Sequence, residues 1–369
     1  MRPLAALPVG TLNLYFGLRA LKWMLGLFAL ASLLILLFDG LELVRRTSDA
    51  DGFSLSTIAL VTLLRLPSLS EQLLPFAVLF GSIGALMGLT RKLELVVARS
   101  AGVSVWQFLA PIAVVSLVLG VAGTTLYNPL ATWTKTKSDA LSAELFGGAQ
   151  TVLNQTSQDS WFRQSGPEGD TIMHARGVLD QGHRLFGVTV FTFDETMSFK
   201  VRIEATGAVY TDRAWQLNGA RVFTTDAPPR EEARMVLPTN LTAEQVTQAI
   251  ANPDSISFWD LPGIIDIARQ TGQPANRFAL QFQSLLAKPA LLFAMVLIAA
   301  TVSLRYSRSG QMRELIVGGV LAGFLLYVVS EVTEDFGAAG LVPPVIAAWS
   351  APTIAMLMGL TILLHTEDG

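Results

Sequence analysis

Glu94 is the ionisable residue with the most informative neighbours in this chain. It lies in Thr90-Arg91-Lys92-Leu93-Glu94-Leu95-Val96-Val97-Ala98-Arg99-Ser100-Ala101-Gly102-Val103-Ser104, a short polar piece between two long apolar stretches. The piece holds three bases, one acid and an apolar stripe. A plain turn between membrane helices needs only a few residues, whereas this one has the length of about three helical turns. A surface helix over 91–103 is therefore expected, docked into a partner through Glu94, Arg91, Leu95, Arg99 and Gly102. Contact of Arg91, Lys92 and Arg99 with lipid headgroups is an equal reading.

Other residues that bear on chemistry are scattered. Lys288 stands inside an apolar segment just before Pro289, and Arg65 stands in another. An ionisable group so placed faces a cavity or a partner, unless its stem lets the charge snorkel to the interface. Arg45-Arg46 follow an apolar stretch directly, and Glu331, Glu334 and Asp335 close another. The histidines at 174, 183 and 365 are far apart, which favours ordinary polar roles over a metal site. The chain has no cysteine, so thiol nucleophiles and thiolate metal ligands do not arise. It has no Gly-x-x-x-x-Gly-Lys-Ser/Thr loop, no His-Glu-x-x-His and no Gly-x-Ser-x-Gly. Neither an enzyme nor a cofactor has residues to stand on.

The elements that position these residues are membrane helices. The chain of 369 residues is 51% hydrophobic and 15% charged, with a mean hydropathy of +0.48. A net charge of -3 with no basic run offers nothing to nucleic acid. Uncharged stretches long enough to span a bilayer mark six helices: Trp23 to Phe38, Leu73 to Thr90, one within Ala101 to Thr134, Pro289 to Leu304, Leu315 to Ser330, and one within Phe336 to Leu364. The second has a broken lead-in from Ser56 through Pro67 and Pro75. The N-terminal apolar stretch carries no small-residue cleavage site and reads as a helix, not a cleaved signal. Arg2, Arg19 and Lys22, then Arg91, Lys92 and Arg99, then Arg305, Arg308 and Arg313 all fall on one side. That side is expected to be cytoplasmic, with both termini inside.

Residues from about 135 to 260 differ in kind. β-rich runs at 171–175, 185–191, 199–205 and 220–224 alternate with Gly166-Pro167, Asp180-Gln181-Gly182, Asn218-Gly219 and Pro228-Pro229. This spacing indicates a sandwich or jelly roll on the outer side, followed by short helices over 242–251 and 261–271. The organisation is thus 1–134, 135–260 and 261–369: three helices, an inserted periplasmic β-jellyroll-like domain, and three more helices.

Several of these stretches resemble the permeases of lipopolysaccharide-export ABC transporters. The resemblance rests on Glu94-Leu95 followed by a short apolar stretch, Arg99 and Ala101-Gly102, with Leu93 where the family has Ser. It also rests on Pro75-Phe76-Ala77-Val78-Leu79-Phe80-Gly81, on Gly340-Leu341-Val342-Pro343-Pro344, and on the three-plus-three layout. It covers essentially the whole chain. Of the family's paralogous halves, F and G, the Pro-Pro entry to the last helix and Val96-Val97 look like the G half.

The resemblance implies a transport subunit without catalysis of its own, multi-pass in the inner membrane of a Gram-negative bacterium. Its implied partners are a paralogous permease half, a cytoplasmic ATPase dimer and a bitopic protein with a periplasmic β domain; its substrate is lipopolysaccharide, drawn from the periplasmic leaflet. Glu94 would meet a base of the ATPase. If the family's Ser caps the coupling helix, Thr90 would be the cap here. The family's lysines at the outer end of helix one are absent, so lipid A phosphates would fall to Arg45, Arg46, Arg65 or Lys288. Phe76, Phe80 and Leu325 would line an acyl cavity, and Gly319 and Gly323 would give a seam with a partner helix or packing within the chain. A membrane-anchored scaffold presenting a β domain is the competing reading. A lipoprotein-moving ABC permease would instead carry its external domain after the first helix.

Overall fold

A computed structural model describes residues 10–47, 55–145, 160–166, 169–179, 183–193, 198–211, 213–224, 227–240, 253–270, 275–309 and 312–367. Its helices are α1 (Thr11–Thr47), α2 (Leu55–Glu71), α3 (Leu74–Arg91), α4 (Glu94–Ser100), α5 (Val105–Ala122), α6 (Asn128–Leu145), α7 (Leu261–Gln270), α8 (Asn276–Ser309), α9 (Met312–Ala338) and α10 (Pro344–Glu367). Six stretches are long and apolar enough to cross a membrane: Thr11–Arg45, Leu74–Arg91, Val105–Asp139, Asn276–Ser303, Val317–Ala338 and Pro344–His365. They match the six expected from the sequence. The broken lead-in is α2, a helix of its own with Pro67 inside it. The chain divides into two compact units; the second comprises Thr136–Ile256 and Ile267–Gln273.

In the helical unit α8 is the centre. It packs against α3, α5, α9 and α10, while α1 packs on α2, α3 and α5. The stretch of α8 from Leu292 to Ala300 supplies Leu292, Ala294, Met295, Ala299 and Ala300 to the core, all shut off from the surroundings. Small residues permit this depth. Gly120 of α5 lies so close to Pro289 that a methyl group there would overlap the proline's backbone. Pro289 has no N–H to give the carbonyl four residues back, at Leu285. The Thr124 hydroxyl donates to that carbonyl at 2.8 Å instead. Thr124 belongs to a π-helical turn, Gly123–Tyr127, that links α5 to α6 in one span. The proline kink and the π turn are thus matched irregularities on facing helices.

The second unit holds β1 (Ser160–Gly166), β2 (Gly169–Leu179), β3 (Arg184–Phe193), β4 (Phe199–Thr211), β5 (Ala214–Thr224) and β6 (Ala227–Pro238). They form one antiparallel sheet in sequence order, β1-β2-β3-β4-β5-β6. The inserted β domain is present, and its described strands form a meander. The indole of Trp215 on β5, fully buried, donates to Oε1 of Gln164 on β1 at 3.0 Å. Three strands lie between these two, a separation of roughly 19 Å in a flat sheet. The sheet therefore curls over its own apolar face, enclosing Met173, Leu185, Val190, Ile203 and Leu217.

The expected β runs fall in β2, β3, β4 and β5. Two expected turns are corrected. Asn218-Gly219 lies inside β5, where Gly219 takes φ +61° while the pairing with β4 keeps the same register on either side of it. Pro228-Pro229 begins β6, an edge strand of the described sheet, where a missing N–H does no harm. The helix expected over 261–271 is α7; the one over 242–251 lies outside the described residues.

Candidate functional site: the α3–α4 connection and the intramembrane ion pairs

The polar piece between the second and third spans is a short helix bounded by two sharp stops. Thr90 is in the last turn of α3, and its hydroxyl donates back to the Leu86 carbonyl at 2.9 Å. It is therefore not the cap of the coupling helix, contrary to expectation. The cap position is Leu93, left-handed at φ 60° and without a side-chain cap bond. A leucine there costs about 1–2 kcal/mol relative to ordinary backbone. The helix itself is also shorter than expected: α4 has seven residues, Glu94–Ser100. It closes where Gly102 N donates to Arg99 O and Val103 N donates to Ala98 O. This Schellman closure needs the left-handed φ of +87° that Gly102 supplies. Ser104 and Gln107 then form a capping box that opens α5.

α4 has two faces. Leu95 and Ala98 are buried, whereas Leu93, Val96 and Val97 stand 62%, 47% and 64% exposed. Arg91 and Lys92 are exposed. The Arg99 guanidinium sits over the Phe108 ring, 5.9 Å from its centroid. Glu94 opens the first turn, where a carboxylate is favoured by the helix dipole. Its side chain reaches across to α1. Nη1 of Arg19 donates to Oε2 at 2.9 Å and Oε1 at 3.1 Å, and the Tyr15 hydroxyl donates to Oε2 at 3.0 Å.

A second polar node lies within the helices. Lys288 Nζ stands 2.5 Å from Glu71 Oε1, with the two side chains only 16% and 12% exposed. Glu71 also accepts from Asn128 Nδ2 at 3.3 Å, and Asn128 Oδ1 accepts from the Phe258 N–H at 3.0 Å. Beside it, Ser70 Oγ and the Tyr127 hydroxyl share a 2.7 Å hydrogen bond. Arg65 of α2 pairs with Asp39 of α1 at 3.4 Å.

The family model described as "Lipopolysaccharide export system permease LptF/LptG" matches residues 14–365. The chain belongs to this family. Its relatives include lipopolysaccharide export system permease protein LptG of Haemophilus influenzae, 25% identical over 98% of this chain and 100% of that protein. LptG of Escherichia coli K12 is also 25% identical, over 97% of this chain and 99% of its own length. Both are G-type, the half to which Val96-Val97 and Pro343-Pro344 point. As an LptF/LptG permease with six apolar spans, the chain is a multi-pass inner-membrane protein.

Set in this LptF/LptG permease, the remaining expected site residues fall as follows. Arg45 is exposed near the end of α1, and Arg46 lies in the same helix. Lys288 and Arg65 have carboxylates of their own chain against them. Phe76 packs at 5.1 Å on Tyr327 of α9, Phe80 is half-buried, and Leu325 is 64% exposed. Gly319 and Gly323 are filled from within the chain, by Val302 of α8 and Leu79 of α3 respectively. Among the described residues no group of three His, Asp or Glu side chains is gathered for a metal.

The sequence reading missed Tyr15, Glu71 and Asn128, and took Arg19 only as a marker of orientation. Arg19 and Glu94 are 75 positions apart, so no spacing rule joins them. Glu71 carries no local mark either: its partner Lys288 lies 217 positions away.

Proposed function

We propose that this chain is the G-type permease subunit of a transporter that draws lipopolysaccharide from the periplasmic leaflet of the inner membrane for export. ATP is hydrolysed by a separate cytoplasmic ATPase dimer, and a paralogous permease half and a bitopic partner complete the complex. Both termini and α4 lie in the cytoplasm and the β domain is periplasmic, a reading supported by the bias of lysine and arginine toward the α3–α4 and α8–α9 connections. Lipid A phosphates meet bases among Arg45, Arg46, Arg65 and Lys288, of which Arg65 also pairs with Asp39 and Lys288 with Glu71. Acyl chains run against Phe76, Phe80 and Leu325.

One observation supports this most. α4 presents Leu93, Val96 and Val97 outward beside a carboxylate, on a connection closed at its far end by the Gly102 turn and the Ser104–Gln107 capping box. Apolar residues standing proud of a cytoplasmic loop are buried by a protein partner, and the adjoining charges set its orientation. A scaffold has no need of such a lever.

Affinity purification of the tagged chain, with mass spectrometry of the proteins and lipids retained, tests the reading. A cytoplasmic ATPase, a second permease and lipopolysaccharide are expected together. Val97→Asp buries a charge in the proposed contact and should cut ATPase recovery by at least about tenfold. Recovery of the chain without an ATPase returns the scaffold reading. Enzymatic activity of a periplasmic reporter fused after Ser100 refutes the orientation.

A further inference from the structure

The contact between Glu94 and α1 carries a consequence for how α4 acts. Glu94 is the first residue of α4, yet its carboxylate reaches past its own helix to Arg19 and Tyr15, in the first turns of α1. Arg19 Nη1 touches both carboxylate oxygens, and the Tyr15 hydroxyl touches Oε2. Arg19 Nη1 also donates to the Tyr15 hydroxyl at 2.6 Å, and the guanidinium lies 5.8 Å from the Tyr15 ring centroid. The arginine's path is kept open by Gly88 of α3, where a methyl would stand 3.3 Å from Nη2. Its side chain is 16% exposed and that of Glu94 is 30% exposed, so the pair is shielded from the salt that screens surface charges.

We propose that Arg19 and Tyr15 are positioning residues for Glu94, fastening the coupling helix to the first span so that displacement of α4 moves α1 with it. The inference rests on the reading of α4 as the ATPase-docking element. Two features favour a transmitting role over a local brace. First, the N-cap position of α4 is a left-handed leucine with no side-chain cap, so the Glu94 contact adds a side-chain anchor to a first turn otherwise set by backbone bonds and the burial of Leu95. Second, a carboxylate offers about four lone-pair sites. Three contacts occupy them here, leaving Oε1 able to accept from a base of the partner without releasing Arg19. Docking then adds a third member to the pair, and the carboxylate is bridged between the ATPase and the first span.

The test uses the complete complex, purified with its ATPase and second permease and reconstituted in lipid nanodiscs. Three quantities are read: ATPase retained, ATP hydrolysed, and lipopolysaccharide moved per ATP. Arg19→Gln is expected to keep ATPase retention within about twofold while lipopolysaccharide moved per ATP falls by about tenfold, a normal size for a lost coupling contact. Arg19→Lys keeps a charge on Glu94 and should recover part of the loss. The absence of cysteine from this chain allows a paired spin-label readout from Leu12→Cys and Ser100→Cys, in a complex whose other subunits are made cysteine-free. The distance between labels should stay narrow through the ATP cycle in the parent and broaden in Arg19→Gln. An unchanged transport-to-hydrolysis ratio in Arg19→Gln overturns the inference. So does loss of ATPase retention in step with Glu94→Gln, which would make Arg19 part of the dock alone. If Val97→Asp and Glu94→Gln both leave ATPase retention and transport intact, the docking reading itself has failed and the inference falls with it.

Discussion

Removing the ammonium from Lys288 should cost this permease more than removing both members of its ion pair. Lys288→Met keeps the length and apolar stem of the side chain and deletes only the charge. The two charges, roughly 3 Å apart at an effective dielectric near 20, attract by about 6 kcal/mol before solvation. Burial to 16% and 12% exposure removes most of their water, and that penalty offsets much of the attraction. Once lysine is gone, Glu71 is left with Asn128 Nδ2 at 3.3 Å as its remaining donor. An isolated buried charge costs about 3–5 kcal/mol; the retained amide lowers the expectation for Lys288→Met to about 2–4 kcal/mol. Glu71→Gln with Lys288→Met leaves two neutral groups, and should recover at least about 1 kcal/mol of that loss. Unfolding in mixed micelles by titration with a denaturing detergent reads all four corners of the cycle. A double variant less stable than Lys288→Met alone would refute the argument, because it would mean that the pair's geometry matters and its charges do not.

Three more outcomes follow from single contacts. Thr124→Val removes the hydroxyl that satisfies the Leu285 carbonyl; it should destabilise the helical unit by about 1–3 kcal/mol in the same titration, with Thr124→Ser close to the parent. Gly120→Val forces side-chain atoms into the backbone of Pro289, and loss of monodisperse protein on size exclusion is expected, whereas Ala at the open position Gly318 should be harmless. Leu93→Gly relieves the left-handed strain at φ 60° and should stabilise the α3–α4 turn by about 1 kcal/mol, yet lower ATPase recovery because an exposed apolar side chain is lost from the proposed docking face.

Much of this architecture was open to a reader of the sequence because it is written in long uniform stretches. A lipid-crossing helix has no choice but to satisfy its backbone internally, so uncharged runs such as Leu73–Thr90 and Pro289–Leu304 announce themselves. The inserted β domain was visible in the same way, through alternating runs bounded by turn residues. What the sequence concealed was local and pairwise. Pro228-Pro229 spells a turn in isolation, and only the edge position makes it a strand. Asn218-Gly219 is a hairpin signal, yet β5 runs straight through it with Gly219 at a left-handed φ. Thr90 had the right chemistry for a cap, but α3 runs on past it and uses its hydroxyl. The site shows the same division. Glu94 stood out by its motif, while its partners Tyr15 and Arg19 sit on a different helix and carry no local mark. Lys288 stood out by its surroundings, while Glu71 looked like an ordinary acid at a helix end.

The paired irregularities of α5 and α8 also fix what kind of motion the subunit can make. Gly120 rests on Pro289, and one turn further along each helix Thr124 holds Leu285. Sliding one helix past the other by a turn, about 5.4 Å, would break the hydrogen bond and drive a side chain into the proline. Swivelling about the contact preserves both. The third and fourth membrane spans are thus pinned like the blades of scissors at their rivet. At this contact the third and fourth spans turn about each other rather than slide.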